Sequence, residues 1–190
     1  MKNSIKISVL ALSLLSVFTI NANAQDGTPK STTDGSGIRL SIGLDAGLPL
    51  GKLKNNYNWS GGASVEADMP IIRDQFYYTV KAGFTDVFAS NTTTAPDMQL
   101  IPVKAGLKYF FIKNVYVQGE AGAAFVTNKT SLGYTKAAAF VYEPQIGVLF
   151  NVGGKNSIDA GVNYQNIGEF YDNGTHSGIL GLRVAYSFGL

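Results

Sequence analysis

The sequence has no cysteine among its 190 residues, and only 15% of the residues are charged. Without cysteine the chain cannot form disulfide bonds, thiolate metal sites or a lipid-modified amino-terminal cysteine. It also lacks a phosphate-binding loop, a dinucleotide fingerprint, the ligand spacing of a zinc site and a basic nucleic-acid patch. These absences exclude disulfide scaffolds, lipoproteins and the common nucleotide-dependent enzymes.

After the first 24 residues, no stretch approaches the ~20 consecutive apolar residues that a membrane-spanning helix needs. The opening itself has Lys2 and Lys6, an apolar run over 7–20, and the small residues Ala22 and Ala24 around Asn23. This order predicts a secretory signal peptide over 1–24. Its removal leaves equal numbers of basic and acidic residues, so the formal charge of +2 predicts no nucleic-acid partner.

A period of two residues dominates the rest of the chain and is clearest over 179–190. Large apolar residues at even positions, from Leu180 to Leu190, alternate there with Gly181, Arg183 and other small or polar residues. Such alternation predicts a β-strand with one apolar and one polar face. The predicted strands span 38–50, 59–71, 76–87, 98–111, 115–126, 137–150, 157–166 and 179–190.

The connections after the first, third, fifth and seventh strands are longer and polar, whereas the others are short. Because lipid tolerates only helices and closed barrels, an exported, helix-free chain of this kind predicts a barrel. We expect an all-β fold, an eight-stranded antiparallel up-and-down transmembrane β-barrel with short periplasmic turns and longer outer loops. The predicted domains are the signal peptide 1–24, a flexible lead-in 25–37 and the barrel 38–190.

Eleven charged residues in these strands share a face with glycine, serine, threonine and glutamine. On the opposite face each charge would cost roughly 2–4 kcal/mol near the middle of the membrane. We therefore expect the charges to face the lumen, which side chains just fill in an eight-stranded barrel. The hypothesis is an ion-pair network that plugs the lumen and makes a diffusion pore unexpected. Its members are Arg39, Asp45, Glu66, Asp68, Lys81, Lys104, Lys108, Glu120, Glu143, Asp159 and Arg183.

The aromatic residues of the apolar face fall near the two ends of the strands. Two girdles at the membrane interfaces are typical of a spanning barrel. The predicted short-turn girdle contains Phe76, Tyr78, Tyr109, Phe111, Phe150, Tyr186 and Phe188, and the loop-side girdle contains Phe84, Phe125, Phe140 and Tyr164.

Glu66 and Asp68 are two carboxylates at positions i and i+2, so both point into the predicted lumen. Such a pair could bind a metal ion or act in acid–base chemistry. Nearby lysine and arginine residues favour salt bridges instead, so we expect neither a metal site nor a cofactor.

His176, the only histidine, precedes Ser177, and Glu169 and Asp172 lie in the same predicted loop. These residue types could form a hydrolase triad or the site of an enzyme that modifies lipid A or phospholipid. A working triad needs rigid mutual geometry, whereas these residues crowd one loop. We expect no catalytic site.

The segment from Leu100 to Phe111, together with the last strand, resembles the "porin family" of small outer-membrane β-barrel domains from Gram-negative bacteria. The resemblance implies an OmpA/OmpX-type eight-stranded barrel in the outer membrane, without implying a pore. Barrels of this kind often end in phenylalanine, whereas here Gly189 and Leu190 follow Phe188. Pro144 on the lipid face removes a ladder donor, so we predict a bulge there.

The predicted function is structural, or surface binding and adhesion through the outer loops. We expect outer-membrane lipid, the barrel-assembly machinery and an extracellular loop ligand as partners, and a monomeric protein. The alternatives are a lipid A- or phospholipid-modifying barrel enzyme and a soluble lipocalin-like carrier. The carrier would need its charged residues outside and an apolar lumen.

Overall fold

The computed structural model describes residues 37–72, 74–90, 96–132, 136–170 and 177–190, with only the backbone of Lys129. Each strand pairs antiparallel with the next, and the last pairs with the first, so the sheet closes into a barrel. The predicted fold is confirmed. Its strands are β1 Arg39–Leu50, β2 Tyr57–Ile72, β3 Phe76–Ala89, β4 Met98–Ile112, β5 Val115–Val126, β6 Ala138–Gly153, β7 Asn156–Ile167 and β8 Ser177–Gly189.

The predicted strands agree with the observed ones to within a few residues at every end. The predicted signal peptide 1–24 and all of the lead-in 25–37 except Gly37 lie outside the described residues. Among the residues that are described, no helix is both long and apolar enough to span a membrane.

The closed sheet has an outer wall and a lumen, and the period of two assigns each side chain to one of them. Leu44, Phe140 and Leu182 on the wall are 71%, 63% and 60% exposed. The side chains that alternate with the outward ones along each strand face the lumen and are mostly buried. The apolar face of every strand is therefore the outer one. This is the opposite of the arrangement in a soluble carrier.

The two rims of the barrel differ. At one rim, here called the short-turn rim, β2 leads into β3, β4 into β5, and β6 into β7 after very short connections. At the other, the loop rim, wider connections join the remaining strands and include the 3₁₀ turn Gly51–Asn55 and the helical turn Lys129–Leu132. Leu53 of the 3₁₀ turn is buried, so this connection folds onto the lumen.

The predicted bulge at Pro144 is wrong. Pro144 pairs with Gly119 of β5 in an unshifted register, and the ladder to β7 is interrupted at Pro144, between Tyr142 and Gln145, and then resumes in the same register. A missing backbone donor thus interrupts the ladder locally without an inserted residue.

Candidate functional site

The lumen is filled in three layers along the barrel axis. Below the loop rim lies an apolar layer, here called the loop-rim core; an ionic layer occupies the middle; and Tyr77, Phe110 and Tyr116 pack together near the short-turn rim. The loop-rim core consists of Leu53, Tyr57, Val87, Met98, Leu100, Ala124, Val126, Ala139, Val141, Ile167, Phe170 and Ile179.

The sequence predicted a polar lumen and missed the loop-rim core. The signal was present, because period-two alternation places Leu100, Val126 and Val141 on the inward faces of β4, β5 and β6. The ends of these strands carry apolar residues on both faces, so composition alone does not separate wall from lumen there.

The middle layer contains the eleven predicted charged residues, and all of them point inward. Apart from Arg39 and Asp45, their side chains are at most 4% exposed. Ion pairs within 4.0 Å join the eleven residues into one connected network. It contains six acidic and five basic groups.

Lys108 is the centre of the network nearest the short-turn rim. Its Nζ donates to Glu66 Oε1 at 2.6 Å and to Asp68 Oδ2 at 2.8 Å, and lies 3.8 Å from Asp159 Oδ2. Arg39 Nη1 donates to Asp68 at 3.4 Å. The ammonium thus occupies the space between the Glu66 and Asp68 carboxylates. In the described ranges, no group of three or more histidine or acidic residues is arranged to hold a metal ion.

Arg183 joins the two halves of the network, one around Lys108 and the other around Lys81 and Lys104. Its Nη1 donates to Asp159 Oδ2 at 3.3 Å, its Nη2 lies 3.7 Å from Glu66 Oε2, and its Nε lies 3.9 Å from Asp45 Oδ1. Tyr116 also donates its hydroxyl to Asp159 Oδ1 at 2.6 Å. The aromatic cluster near the short-turn rim is thereby linked to the ionic layer.

Lys81 and Lys104 are direct cross-strand neighbours on β3 and β4. Lys81 Nζ donates to Glu143 Oε1 at 2.9 Å, and Lys104 donates to the other oxygen of the same carboxylate. Glu120 completes this half, with Oε1 accepting from Thr79 at 2.9 Å and Oε2 lying 3.9 Å from Lys104. One carboxylate between two ammonium groups offsets the repulsion of the adjacent like charges.

A cavity of about 40 Å³ lies beside this half of the network, on the side of the loop-rim core. Asp45, Lys81, Lys104 and Asn163 contribute to its lining, together with several glycines and serines. A cavity of this size has room for a small number of water molecules.

All eleven predicted girdle residues occupy outward positions on the wall. Phe140, Phe150 and Tyr186 are each at least half exposed, and Phe76 contacts Tyr109 edge to face with ring centroids 6.3 Å apart. The predicted girdles lack Trp59, which stacks on Phe88 near the loop rim with centroids 4.1 Å apart.

The prediction that strand charges share one face also missed Asp86. Residue 86 lies in β3, which continues to Ala89, and the fully buried Val87 beside it faces the lumen. Asp86 therefore faces outward, near the loop rim. The alternation of outward and inward residues that begins at Phe76 already predicts the outward position of Asp86.

His176 and Asp172 of the alternative catalytic site lie outside the described residues. Ser177 begins β8, and Glu169 follows the end of β7, so both lie at the loop rim.

Comparison with known proteins finds a match to the family model of the outer membrane protein beta-barrel domain over residues 10–188. The crystal structure of OprG from Pseudomonas aeruginosa aligns over 82% of this chain and 96% of its own, with 10% identity and a TM-score of 0.53. Neisserial surface protein A aligns over 82% and 98%, with 19% identity and a TM-score of 0.55.

Ail, the attachment invasion locus protein of Yersinia pestis, aligns over 80% of this chain and 99% of its own, with 18% identity and a TM-score of 0.51. At these identities the likeness to the three structures shows the fold alone. No curated protein sequence matches the chain.

Proposed function

Because this chain belongs to the outer membrane protein beta-barrel domain family and resides in the bacterial outer membrane, we propose that it is a non-catalytic barrel with a closed lumen. Its role is to hold the outer loops as a structural or binding surface. The observation that carries this proposal is the three-layer filling of the lumen. Neither the ionic layer nor the loop-rim core leaves the wide aqueous path of a diffusion pore.

The ionic layer resists opening because its charges are buried and shared. Removing one partner from a buried ion pair costs on the order of 3–5 kcal/mol. A path for solutes would have to separate several pairs at once, since Arg183 and Lys108 each contact more than one carboxylate. The loop-rim core adds an apolar constriction, and such constrictions exclude water and ions.

The loop rim is held by hydrogen bonds between neighbouring connections. Asp97 Oδ1 accepts from the backbone N–H of Ala89 at 2.8 Å, and Asn128 Oδ1 accepts from that of Gln99 at 3.2 Å. The Asn128 side chain also donates to the carbonyl of Asp97 at 2.5 Å. These contacts fix the bases of two loops to the barrel, and binding residues commonly lie on loops positioned by a rigid scaffold.

Single-channel recording in planar bilayers tests the closed lumen. We expect the purified full-length protein, inserted at known density, to give no stable large conductance. A general outer-membrane porin inserted under the same conditions serves as the positive control. A reproducible open level from the wild-type barrel would contradict the proposal.

Cell adherence tests the surface role, which the name of the attachment invasion locus protein suggests for that neighbour. Segment 128–136 is replaced by a two-residue Asn-Gly turn in cells that otherwise lack the protein. We expect the wild-type barrel to increase adherence to coated surfaces and the trimmed barrel to lose that increase. Heat-modifiable gel mobility verifies equal amounts of folded barrel. Equal adherence with and without the loop would count against this role.

Mass spectrometry of lipid A and phospholipids tests the non-catalytic assignment. We expect cells that express the wild-type protein and cells that express His176→Ala or Ser177→Ala to have the same lipid species. A modified lipid that disappears with either substitution would establish the enzyme alternative.

A further inference from the structure

A row of neighbouring positions crosses the outer wall near the loop rim, from Gly61 of β2 to Thr127 just after β5, and all of them except Gly61 carry a polar side chain. Asp86 pairs with Gly61 on one side and with Gln99 on the other. Gln99 Nε2 donates to Asp86 Oδ2 at 3.4 Å, and the Thr127 hydroxyl donates to Gln99 Oε1 at 3.4 Å. Gly61, Asp86, Gln99 and Thr127 are called the polar row below.

Asp86 is the unusual member of this row. It is the one charged residue that the described strands place on the outer wall. Its Oδ1 is shielded, and no donor of the described residues reaches it. A carboxylate oxygen has two lone pairs, and among the described residues Oδ2 accepts the 3.4 Å bond from Gln99, so Oδ2 can accept a further donor from outside the chain.

The stacked Trp59–Phe88 pair lies beside the polar row, on its loop-rim side. The rings extend over Gly61, where a Cβ atom would lie 3.0 Å from Trp59 Cζ3 and 3.8 Å from Phe88 Cε2. Trp59 remains 50% exposed. The wall therefore presents a flat apolar surface next to a carboxylate and an amide.

The order of these features differs from that of an ordinary membrane interface. On the membrane side of the polar row the wall is apolar, with Phe84, Ile101 and Phe125. Interfacial aromatic residues normally adjoin the hydrocarbon, but here the Trp59–Phe88 pair lies farther from it than Asp86. The pair thus lies on the loop-rim side of the apolar band of the wall.

We propose that the polar row and the Trp59–Phe88 pair bind the sugar headgroup of an outer-leaflet glycolipid. A sugar ring has an apolar face that packs on an aromatic ring and hydroxyl groups that donate to a carboxylate or exchange hydrogen bonds with an amide. The polar side chains of the row, those of Asp86, Gln99 and Thr127, cross two strand spacings, about 10 Å. That width fits two sugar rings and exceeds a single ammonium headgroup.

Trp59 is the single tryptophan of the chain, so its fluorescence reports on this site without a label. The full-length protein is placed in nanodiscs of phosphatidylglycerol, of phosphatidylethanolamine mixed with phosphatidylglycerol, or of phosphatidylglycerol with increasing amounts of lipid A carrying core sugars. We expect a saturable change of Trp59 emission with the glycolipid and none with either phospholipid composition.

Asp86→Asn and Gln99→Ala are expected to raise the glycolipid concentration at half-saturation about tenfold, the effect of losing one hydrogen bond to a charged or well-placed group. Asn166→Ala is the matched control, since Asn166 is a polar wall residue at the loop rim of β7. It should titrate like the wild type. Heat-modifiable mobility verifies that each variant is folded.

An equal response to glycolipid and phospholipid would overturn the proposal, as would equal titrations of Asp86→Asn and Asn166→Ala. A response to phosphatidylethanolamine that Asp86→Asn abolishes would assign the site to an ammonium headgroup and so overturn the sugar assignment.

Discussion

Lys108 shows at the scale of a single residue how the lumen tolerates charge. Its side chain is 0% exposed, and its ammonium contacts the carboxylates of Glu66, Asp68 and Asp159. It also lies 4.8 Å from the centroid of the Tyr116 ring. An isolated ammonium in this position would be prohibitively unfavourable, so its stability depends on carboxylates from two other strands, β2 and β7.

Replacing Lys108 with methionine keeps most of the volume and removes the charge. The Glu66 and Asp68 carboxylates would then be buried without their main partner, and we expect a loss of roughly 3–5 kcal/mol in the free energy of unfolding. Urea unfolding in lipid vesicles, followed by Trp59 fluorescence, measures it. Lys113→Met, in the exposed turn after β4, is the control and should change stability by less than about 0.5 kcal/mol. Equal losses would show that the Lys108 pairs contribute nothing specific.

At the scale of the strand, small inward residues make room for large ones from the neighbouring strand. Gly147 of β6 lies opposite Tyr116 of β5, and a Cβ atom at residue 147 would collide with the phenol ring. Tyr116 has little freedom to move, because its hydroxyl donates to Asp159 and accepts from Gln145 at 2.6 Å.

Gly147→Ala is therefore expected to destabilise the barrel by about 1–3 kcal/mol through overpacking. The matched control is Gly119→Ala, because Gly119 is on the outer face of the adjacent strand and a Cβ there meets nothing within 4 Å. This control should be neutral or slightly stabilising. Urea midpoints of the two variants at equal protein-to-lipid ratio make the comparison. A neutral Gly147→Ala variant would mean that Tyr116 is free to leave its position.

Of the local sequence rules, alternation was sufficient to locate the strands, whereas the proline rule was not sufficient to locate a bulge. Alternation predicted all eight strands, because the period of two is a property of neighbouring residues. Pro144 was predicted to cause a bulge, but β5 and β6 keep their register across it. Register depends on the whole ladder, so a single missing donor does not outweigh the remaining pairs.

At the scale of the whole molecule, the middle of the outer wall is apolar, and the charged side chains of the ionic layer are enclosed in the lumen. Leu182 lies near the middle of β8, whereas Val152 lies near the short-turn end of β6, and both face outward. Substitutions at Leu182 and Val152 therefore test how the stability of the barrel depends on the depth of a charge in the membrane.

Leu182→Arg is expected to reduce stability in lipid vesicles by roughly 2–4 kcal/mol, because it places a charge at the membrane midplane. Val152→Arg should cost no more than about 1 kcal/mol, since an interfacial arginine reaches water. Reversible urea titrations give both values. If the two substitutions cost the same, the wall does not cross the membrane in the proposed orientation.

Local residue order is enough to predict the strands, their outward and inward faces, and the confinement of eleven charges to one face. These are local consequences of a two-residue period and of the cost of charge in lipid. Tertiary folding sets which charges meet, because Lys81 and Glu143 are 62 residues apart and are brought together only by closure of the sheet. It also sets the layering of the lumen and the position of Asp86 beside Gln99, since both depend on the alignment of strand ends across neighbouring ladders.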